Sequence, residues 1–397
     1  MRGRSLAIRR DELSTAGESG ESVATLRDGS TLAPPLAPSP RTSRSRPNRA
    51  SASQASALPC TVPSVGAPIK DADLLELTTV VLASKRLPDV SYRLERVIGE
   101  GAQGVVFLAT RRSATGELLV VVKVLRPRAV RDIAGLAAAA IRKEVAALER
   151  LSAQSAPSPF VVRFLDTGTL RIRDNPLDLP WLAIEYIEGG PEGATLRARL
   201  ADALKRQGSA FDVPRALRAI KSMIAGVSAM HAIGVVHRDV NPGNVLCSGS
   251  GADEAFKISD FGLARVSSVM TFGSVLLGTP GYCAPEQSFP EKVGVAPHTD
   301  VFSLACCTYF VLTGEPYFEA PTIPEMLVAV YGSERRRLRD APGLCAELRG
   351  NQALCREIDG VLERATAADP RGRPQSAEEL GDSIATALGT LIRAGKS

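Results

Sequence analysis

Asp239 and Asn244 stand five positions apart in HRDVNPGN (237–244), and Asp260 follows sixteen positions after Asn244 in KISDFGLA. An aspartate held in a loop can orient a hydroxyl group and accept its proton. An amide oxygen and a carboxylate together suit a hard cation, and Mg²⁺ is commonly held by one or two carboxylates plus phosphate oxygens. Asp239 is therefore the candidate general base, with Asn244 and Asp260 as candidate metal ligands. Either loop alone would read as a turn rich in Asp and Asn. Together they point instead to a site that orients a hydroxyl group beside a hard cation.

A phosphate donor needs its negative charge held. IGEGAQGVVF (98–107) places glycines at 99, 101 and 104 between two strand-like stretches. A dinucleotide fingerprint would need a helix opening at the third glycine, and the pattern here is strand on both sides. A hairpin tip missing three side chains can instead lie close over phosphates and offer backbone N–H groups. Nineteen residues beyond Gly104, Lys123 closes the apolar run LLVVVK, and Glu144 lies in IAGLAAAAIRKEVAALERL (133–151). A Lys123–Glu144 ion pair would aim the ammonium at the α- and β-phosphates of a nucleotide. A lysine ending a buried strand is ordinarily a snorkelling edge residue, so the order of glycine loop, strand lysine and helix glutamate carries the argument.

These residues need a scaffold. From Tyr92, YRLERVIGEG, GVVFLATRR and GELLVVVKVLR read as strands separated by glycine-bearing turns. The stretch 133–151 is alanine-rich with apolar residues at spacings of three and four, which predicts a helix. FVVRFLDTGTLRI and LPWLAIEYIEGG return to strand, and beyond Gly190 helices dominate, RALRAIKSMIAGVSAMHAIG and QSAEELGDSIATALGTLIRAG among them. The pattern predicts a β-rich lobe over 92–187 with one helix, a helical lobe over 188–385, and a helix end over 386–397. DADLLELTTVVLASKR (71–86) has helical spacing and is expected to form a short helix within a lead-in over 71–91. Residues 1–70, rich in Ser, Pro, Ala and Arg, have too few apolar positions to offset the entropy of ordering and read as a disordered tail.

Bulk properties narrow the class. The 397-residue chain is 44% hydrophobic with a net charge of +5. Ten basic and five acidic residues fall in 1–70, so the remaining 38 and 38 cancel, which argues against a nucleic-acid-binding face on the folded part. Seven cysteines without a CxxC pattern suggest reduced, buried thiols. MRGRSLAIRR lacks the apolar core of a signal peptide. Runs such as VFSLACCTYFVL fall short of the ~20 residues needed to span a bilayer. A soluble cytoplasmic protein is expected. The preference for Arg over Lys, 39 of 48 basic residues, together with abundant Ala, suggests a GC-rich bacterial genome.

Taken in order, the glycine-rich loop, Lys123, Glu144, the HRD loop and the DFG motif resemble those of the eukaryotic-type (Hanks-type) protein kinases, over residues 92 to 385. The resemblance continues downstream. GTPGYCAPEQ (278–287) is similar to the family's P+1 loop and APE motif. TDVFSLA (299–305) resembles the start of its buried helix, which implies that Asp300 anchors the catalytic-loop backbone. ADPRGRP (368–374) implies that Arg373 pairs with Glu286. WLAIEYIEGG resembles the hinge, making Ile184 the gatekeeper and the Glu185–Ile187 backbone the adenine edge, with Val106, Val121 and Leu246 sandwiching the ring. The nucleotide would also meet Ile98, Gly99, Glu100, Gly101, Ala102, Gln103, Gly104 and Val105.

The resemblance implies a bilobal α+β fold, ATP and Mg²⁺ as cofactors, and transfer of the γ-phosphate to Ser and Thr hydroxyls of protein substrates. It also implies autophosphorylation on the activation segment, with dimerisation as one route in trans. Arg238 would hold a phosphate on Ser267, Ser268, Thr271 or Ser274, Thr271 and Ser274 being favoured, while Thr279 is read as structural. A catalytically weak scaffold of this family would need Lys123, Asp239 or Asp260 missing, and all three are present. A small-molecule phosphotransferase is the other alternative, because NPGNVL is similar to that group's catalytic loop, yet the group lacks a GTPGYCAPE segment.

Two positions depart from the family pattern. Val121 stands where alanine is usual, narrowing the roof over the adenine. Asn241 stands where a lysine usually meets the γ-phosphate, and its neutral hydrogen bond would be about half as strong as a charge-assisted one. Asn241 is therefore counted with Asp239, Lys123 and Glu144 among the catalytic residues of a slower enzyme. Asn241→Lys is expected to raise turnover at saturating ATP and peptide.

Overall fold

Short glycine-bearing turns and alternating apolar residues fold the first part of the chain into a sheet. The computed structural model describes residues 71–101, 104–126, 145–146, 149–154, 157–171, 178–260, 279–288 and 294–394. Strands β1 (Val81–Ala83), β2 (Ser91–Glu100), β3 (Gly104–Ser113), β4 (Gly116–Leu125), β5 (Phe164–Arg171) and β6 (Asp178–Glu185) form one antiparallel sheet in the order β1-β2-β3-β4-β6-β5. Alternate residues of a strand face opposite sides. One set, including Tyr92, Leu94, Val105, Phe107, Val122 and Trp181, closes a core beneath the sheet. Gly104 is required by packing, because a Cβ there would lie 2.5 Å from the Val124 carbonyl oxygen. That close approach seats the glycine-rich turn directly against β4, the strand that carries Lys123.

The lead-in differs from expectation. Residues Asp71–Glu76 form a 3-10 turn, and Val81, Leu82 and Ala83 pair with Arg93, Tyr92 and Ser91 of β2. An isolated helix this short is marginal. Burial of Leu74 in the sheet's core and the ladder to β2 favour the strand instead. Residues 71–91 thus join the sheet. Of the predicted helix over 133–151, the structure describes helical residues at 145–146 and 149–151; Glu144 lies outside the described residues.

The second part is helical: α1 (Leu196–Gln207), α2 (Val213–His231), α3 (Pro297–Thr313), α4 (Ile323–Tyr331), α5 (Gln352–Ala365) and α6 (Ala377–Ala394), with a small hairpin of β7 (Val245–Ser248) and β8 (Ala255–Ile258). Local chemistry sets the ends. Thr195 and Asp212 accept N–H bonds at the starts of α1 and α2, and Gly208 and Gly314 close α1 and α3 in the left-handed conformation. Every residue from Thr299 to Thr313 of α3 is buried, as expected of a helix apolar on nearly all sides. The six described cysteines are free and buried, in keeping with reduced thiols. Burial pushes the Cys247 thiol up to about 12. Among the described residues no helix is long and apolar enough to cross a membrane.

One backbone seam joins the two lobes, and one buried ion pair braces the helical lobe. Behind the cleft, the Ile258 N–H donates to the Phe160 carbonyl at 2.8 Å and the Val162 N–H donates to the Ile258 carbonyl at 2.9 Å. Beneath the cleft, Arg373 makes a two-pronged contact with Glu286 at 2.9 and 3.0 Å, and the Thr299 hydroxyl adds a 2.8 Å bond. This is the pair implied by the motifs, and both residues are buried. Removing one partner would strand a buried charge. Arg373→Met is expected to lower the unfolding free energy by ~3–5 kcal/mol, measured by urea titration.

Candidate active site

The loop 237–244 runs from the end of α2 to β7, and Asp300 of α3 fixes its backbone. The Asp300 carboxylate is fully buried and accepts the His237 and Arg238 N–H groups, each at 2.7 Å, and Nε2–H of His231 at 2.8 Å. Three charge-assisted bonds of this kind satisfy a carboxylate that would otherwise be costly to bury. They hold Arg238 in the left-handed region at φ 68°, a conformation that costs on the order of 1–3 kcal/mol for a residue with a side chain. His237 then ties the two candidate loops together. Its Nδ1 accepts the Asp239 N–H at 3.2 Å, which leaves Nε2–H to donate to the Ser259 carbonyl at 3.1 Å. The residue after Ser259 is Asp260.

Asp239 is gripped by two neighbours. Asn244 Nδ2 donates to its carbonyl at 2.9 Å and to Oδ2 at 3.1 Å, and the Thr279 hydroxyl donates to Oδ1 at 3.0 Å. Asn244 therefore has its Nδ2 committed, while its amide oxygen accepts no hydrogen bond among the described residues and lines the cleft. That amide oxygen and the Asp260 carboxylate, which lines the same cavity, are ligand types that suit a hard cation. Among the described residues no group of three or more His, Cys, Asp or Glu could hold a metal alone. A cation here would be one shared with phosphate oxygens.

Lys123 forms an ion pair with Asp260; Glu144, the partner expected from the sequence, lies outside the described residues. Its side chain is nearly buried while Asp260 is half exposed, so the ammonium is led to the cleft by the carboxylate. Asp260 occupies the left-handed region at φ 54°, which aspartate tolerates better than most residues.

Between sheet and helices lies a cavity of ≈ 500 Å³. Ile98, Gly99, Val106, Val121 and Lys123 line it from the sheet, Ile187 from the link, and Asn244, Leu246 and Asp260 from below, as the sequence predicts. Arg96, Leu182, Ile184, Tyr186, Thr195 and Ser259 line it too. Of these, Ile184 and Tyr186 had a signal, their place in the hinge-like motif. Val105 does not reach the cleft: it is fully buried in the sheet's core, because it points to the face of β3 opposite Val106. Glu185 turns its side chain away, accepting from Lys257 Nζ at 2.7 Å and from the Arg163 N–H at 2.8 Å. Ala102 and Gln103 lie outside the described residues.

The glycine-rich turn has a clasp that sequence reading missed. Arg126, three positions after Lys123, donates from Nε to the Gly101 carbonyl at 2.9 Å and pairs with Glu100 at 3.2 Å. Gly101 and Gly104 close the turn with a 3.0 Å backbone bond. Glu100 and Gly101 thus serve the shape of the turn, and an arginine after an apolar strand gave no sign of this.

A model of the protein kinase domain matches residues 92–380. The chain belongs to the protein kinase family. Its sheet and helical lobes form the α+β bilobal kinase fold expected from the motifs. The kinase is 30% identical over 292 residues to the serine/threonine-protein kinase PknB of Mycobacterium leprae, covering 73% of this chain and 42% of that one. It is 32% identical over 312 residues to the serine/threonine-protein kinase pkn2 of Myxococcus xanthus, covering 76% and 33% respectively. The chain thus spans less than half the length of these curated relatives. Among solved structures, the PknI kinase domain of Mycobacterium tuberculosis superposes with a TM-score of 0.53 at 23% identity, covering 75% of this chain and 95% of that one, a likeness of fold.

Asn241 differs from expectation. It is buried, and its Nδ2 donates to the Asp239 carbonyl and to the Thr279 hydroxyl, both at 3.1 Å, while its Oδ1 accepts the Gly243 N–H at 2.9 Å. Its amide therefore serves the loop and Thr279 rather than a phosphate. A lysine could replace the donor bonds but offers no acceptor to Gly243, so the gain expected of Asn241→Lys is opposed by that loss. Asn241→Ala is expected to lower the unfolding free energy by ~1–3 kcal/mol, checked by urea titration.

Proposed function

We propose that the chain is a serine/threonine protein kinase of the non-specific class, transferring the γ-phosphate of ATP to Ser and Thr hydroxyls of proteins. The observation that carries this reading is the double grip on Asp239. One carboxylate oxygen is held by Asn244 on the cation side, the other by Thr279 on the segment where a peptide would dock. The names of the relatives, each a serine/threonine-protein kinase, support the same reading.

In this proposal Val106 and Val121 cover the adenine from above and Leu246 supports it from below, with the backbone of Glu185 and Ile187 along its edge. Lys123 offsets charge on the phosphates. Asn244 and Asp260 would hold Mg²⁺, which when bound neutralises charge on the phosphate oxygens. Asp239 orients the substrate hydroxyl and accepts its proton as oxygen bonds to the γ-phosphorus and the bond to the β–γ bridging oxygen breaks, releasing ADP. Little covalent work falls to the protein, so orientation and electrostatics supply most of the acceleration.

Asn241 acts here by holding Thr279 against Asp239. Autophosphorylation, in trans between two copies, would fall on Ser267, Ser268, Thr271 or Ser274, which lie outside the described residues, with Arg238 receiving the phosphate.

The test is incubation with radiolabelled ATP, Mg²⁺ and a generic protein substrate, followed by phosphoamino-acid analysis. Label on serine and threonine is expected. Asp239→Asn should lower kcat by ~10²–10⁴-fold with ATP binding retained. Wild-type incorporation by that variant would overturn the assignment.

A further inference from the structure

Gln287 closes the 3-10 turn Pro285–Gln287 and is 4% exposed. Its Oε1 accepts the Ala284 N–H at 3.1 Å, a local capping bond. Its Nε2 does something else, donating at 2.8 Å to the carbonyl of Arg238, 49 positions away in the catalytic loop. That carbonyl belongs to the peptide leading into Asp239. Arg238 is the left-handed residue of the loop, and its own N–H is taken by Asp300. The peptide plane before Arg238 is therefore fixed from α3, and the plane after it by the Pro285–Gln287 turn at its carbonyl and by His237 Nδ1 at its N–H.

The turn is itself held by several contacts. Glu286 is locked by Arg373 and Thr299, and the Pro285 carbonyl accepts from the Tyr331 hydroxyl of α4 at 3.0 Å. Thr279 lies eight positions upstream of Gln287 and donates to the Asp239 carboxylate. The segment 279–288 thus reaches Asp239 at both ends, through its carboxylate and through the carbonyl that precedes it.

We infer that Gln287 is a positioning residue, which sets the aim of Asp239 by fixing the Arg238–Asp239 peptide and so couples the peptide-docking segment to the catalytic aspartate. The inference rests on the reading of Asp239 as the group that orients the substrate hydroxyl. Without the amide, the strained peptide would keep its N–H bond to His237 but lose the hold on its carbonyl, so the aim of the carboxylate would loosen while the nucleotide cleft kept its shape. Gln287 does not line that cleft.

The experiment uses the full chain with ATP, Mg²⁺ and a generic protein substrate. Gln287→Met keeps the length of the side chain but can neither donate nor accept to the backbone as the amide does. It should lower kcat about 10-fold, leave the KM for ATP unchanged and leave the protein folded by thermal melting. Gln287→Glu supplies a donor only when its carboxyl is protonated, and burial against a carbonyl favours that form. Its kcat relative to wild type should rise as the pH is lowered, whereas the Gln287→Met ratio should stay flat. Wild-type kcat in the folded Met variant, or a flat ratio for the Glu variant, would overturn the inference, as would a parallel change of kcat, KM for ATP and melting temperature. Asp239→Asn measured alongside separates the two layers. Retained turnover in that variant refutes the reading of Asp239, whereas its loss together with an unaffected Gln287→Met refutes the inference about Gln287 alone.

Discussion

The buried carboxylate of Asp300 takes the N–H groups of His237 and Arg238 and the ring N–H of His231, and the rest of the site is built outward from that attachment. α3 is buried over nearly its whole length, so Asp300 cannot drift without disturbing the core of the helical lobe. A loop would ordinarily be among the least fixed parts of a protein. Here it inherits the rigidity of the deepest helix. The left-handed Arg238 is a consequence, since the backbone must turn sharply for two successive N–H groups to reach one carboxylate.

From that anchor the remaining contacts follow in order. His237 passes the position of the loop on to Ser259, which places Asp260 opposite Lys123. Asn244 and Thr279 then orient the Asp239 carboxylate from opposite sides. Each polar group answers another, as buried polar networks must if they are not to weaken the fold. The sheet contributes the apolar roof and Lys123, and Arg126 keeps the glycine-rich turn against the end of β4.

How much of this was legible depends on the range of the interaction. The strands from Tyr92 onward, the helices beyond Gly190 and the residues Lys123, Asp239, Asn244 and Asp260 could be read because period, turn chemistry and motif order are local signals. The Asp300 and Glu286–Arg373 contacts came from family resemblance and not from composition or spacing. Val105 was misplaced because a motif names consecutive residues while a strand shows only alternate ones to the cleft. The lead-in was read as helix because a short apolar run fits either period, and the ladder to β2 that decides the matter is a tertiary fact. Arg126 and the buried duty of Asn241 gave no signal at all. Both act partly through hydrogen bonds to backbone atoms, which any sequence supplies, and partly through side chains brought close only by the fold.

The Glu185–Lys257 contact and the two backbone bonds between Phe160, Val162 and Ile258 form a seam along the rear of the cavity. A seam on one side of a two-part body acts as an axis. Any breathing of the two lobes must then be a rotation about that line, with the amplitude growing toward the glycine-rich turn. The end of the cavity at Ile184 and Ile187 adjoins Glu185 and would see little change in width, whereas the end under the glycine-rich turn, at the longest radius, would be alternately exposed and covered. For the nucleotide proposed above, exchange of spent for fresh would therefore begin at the phosphates.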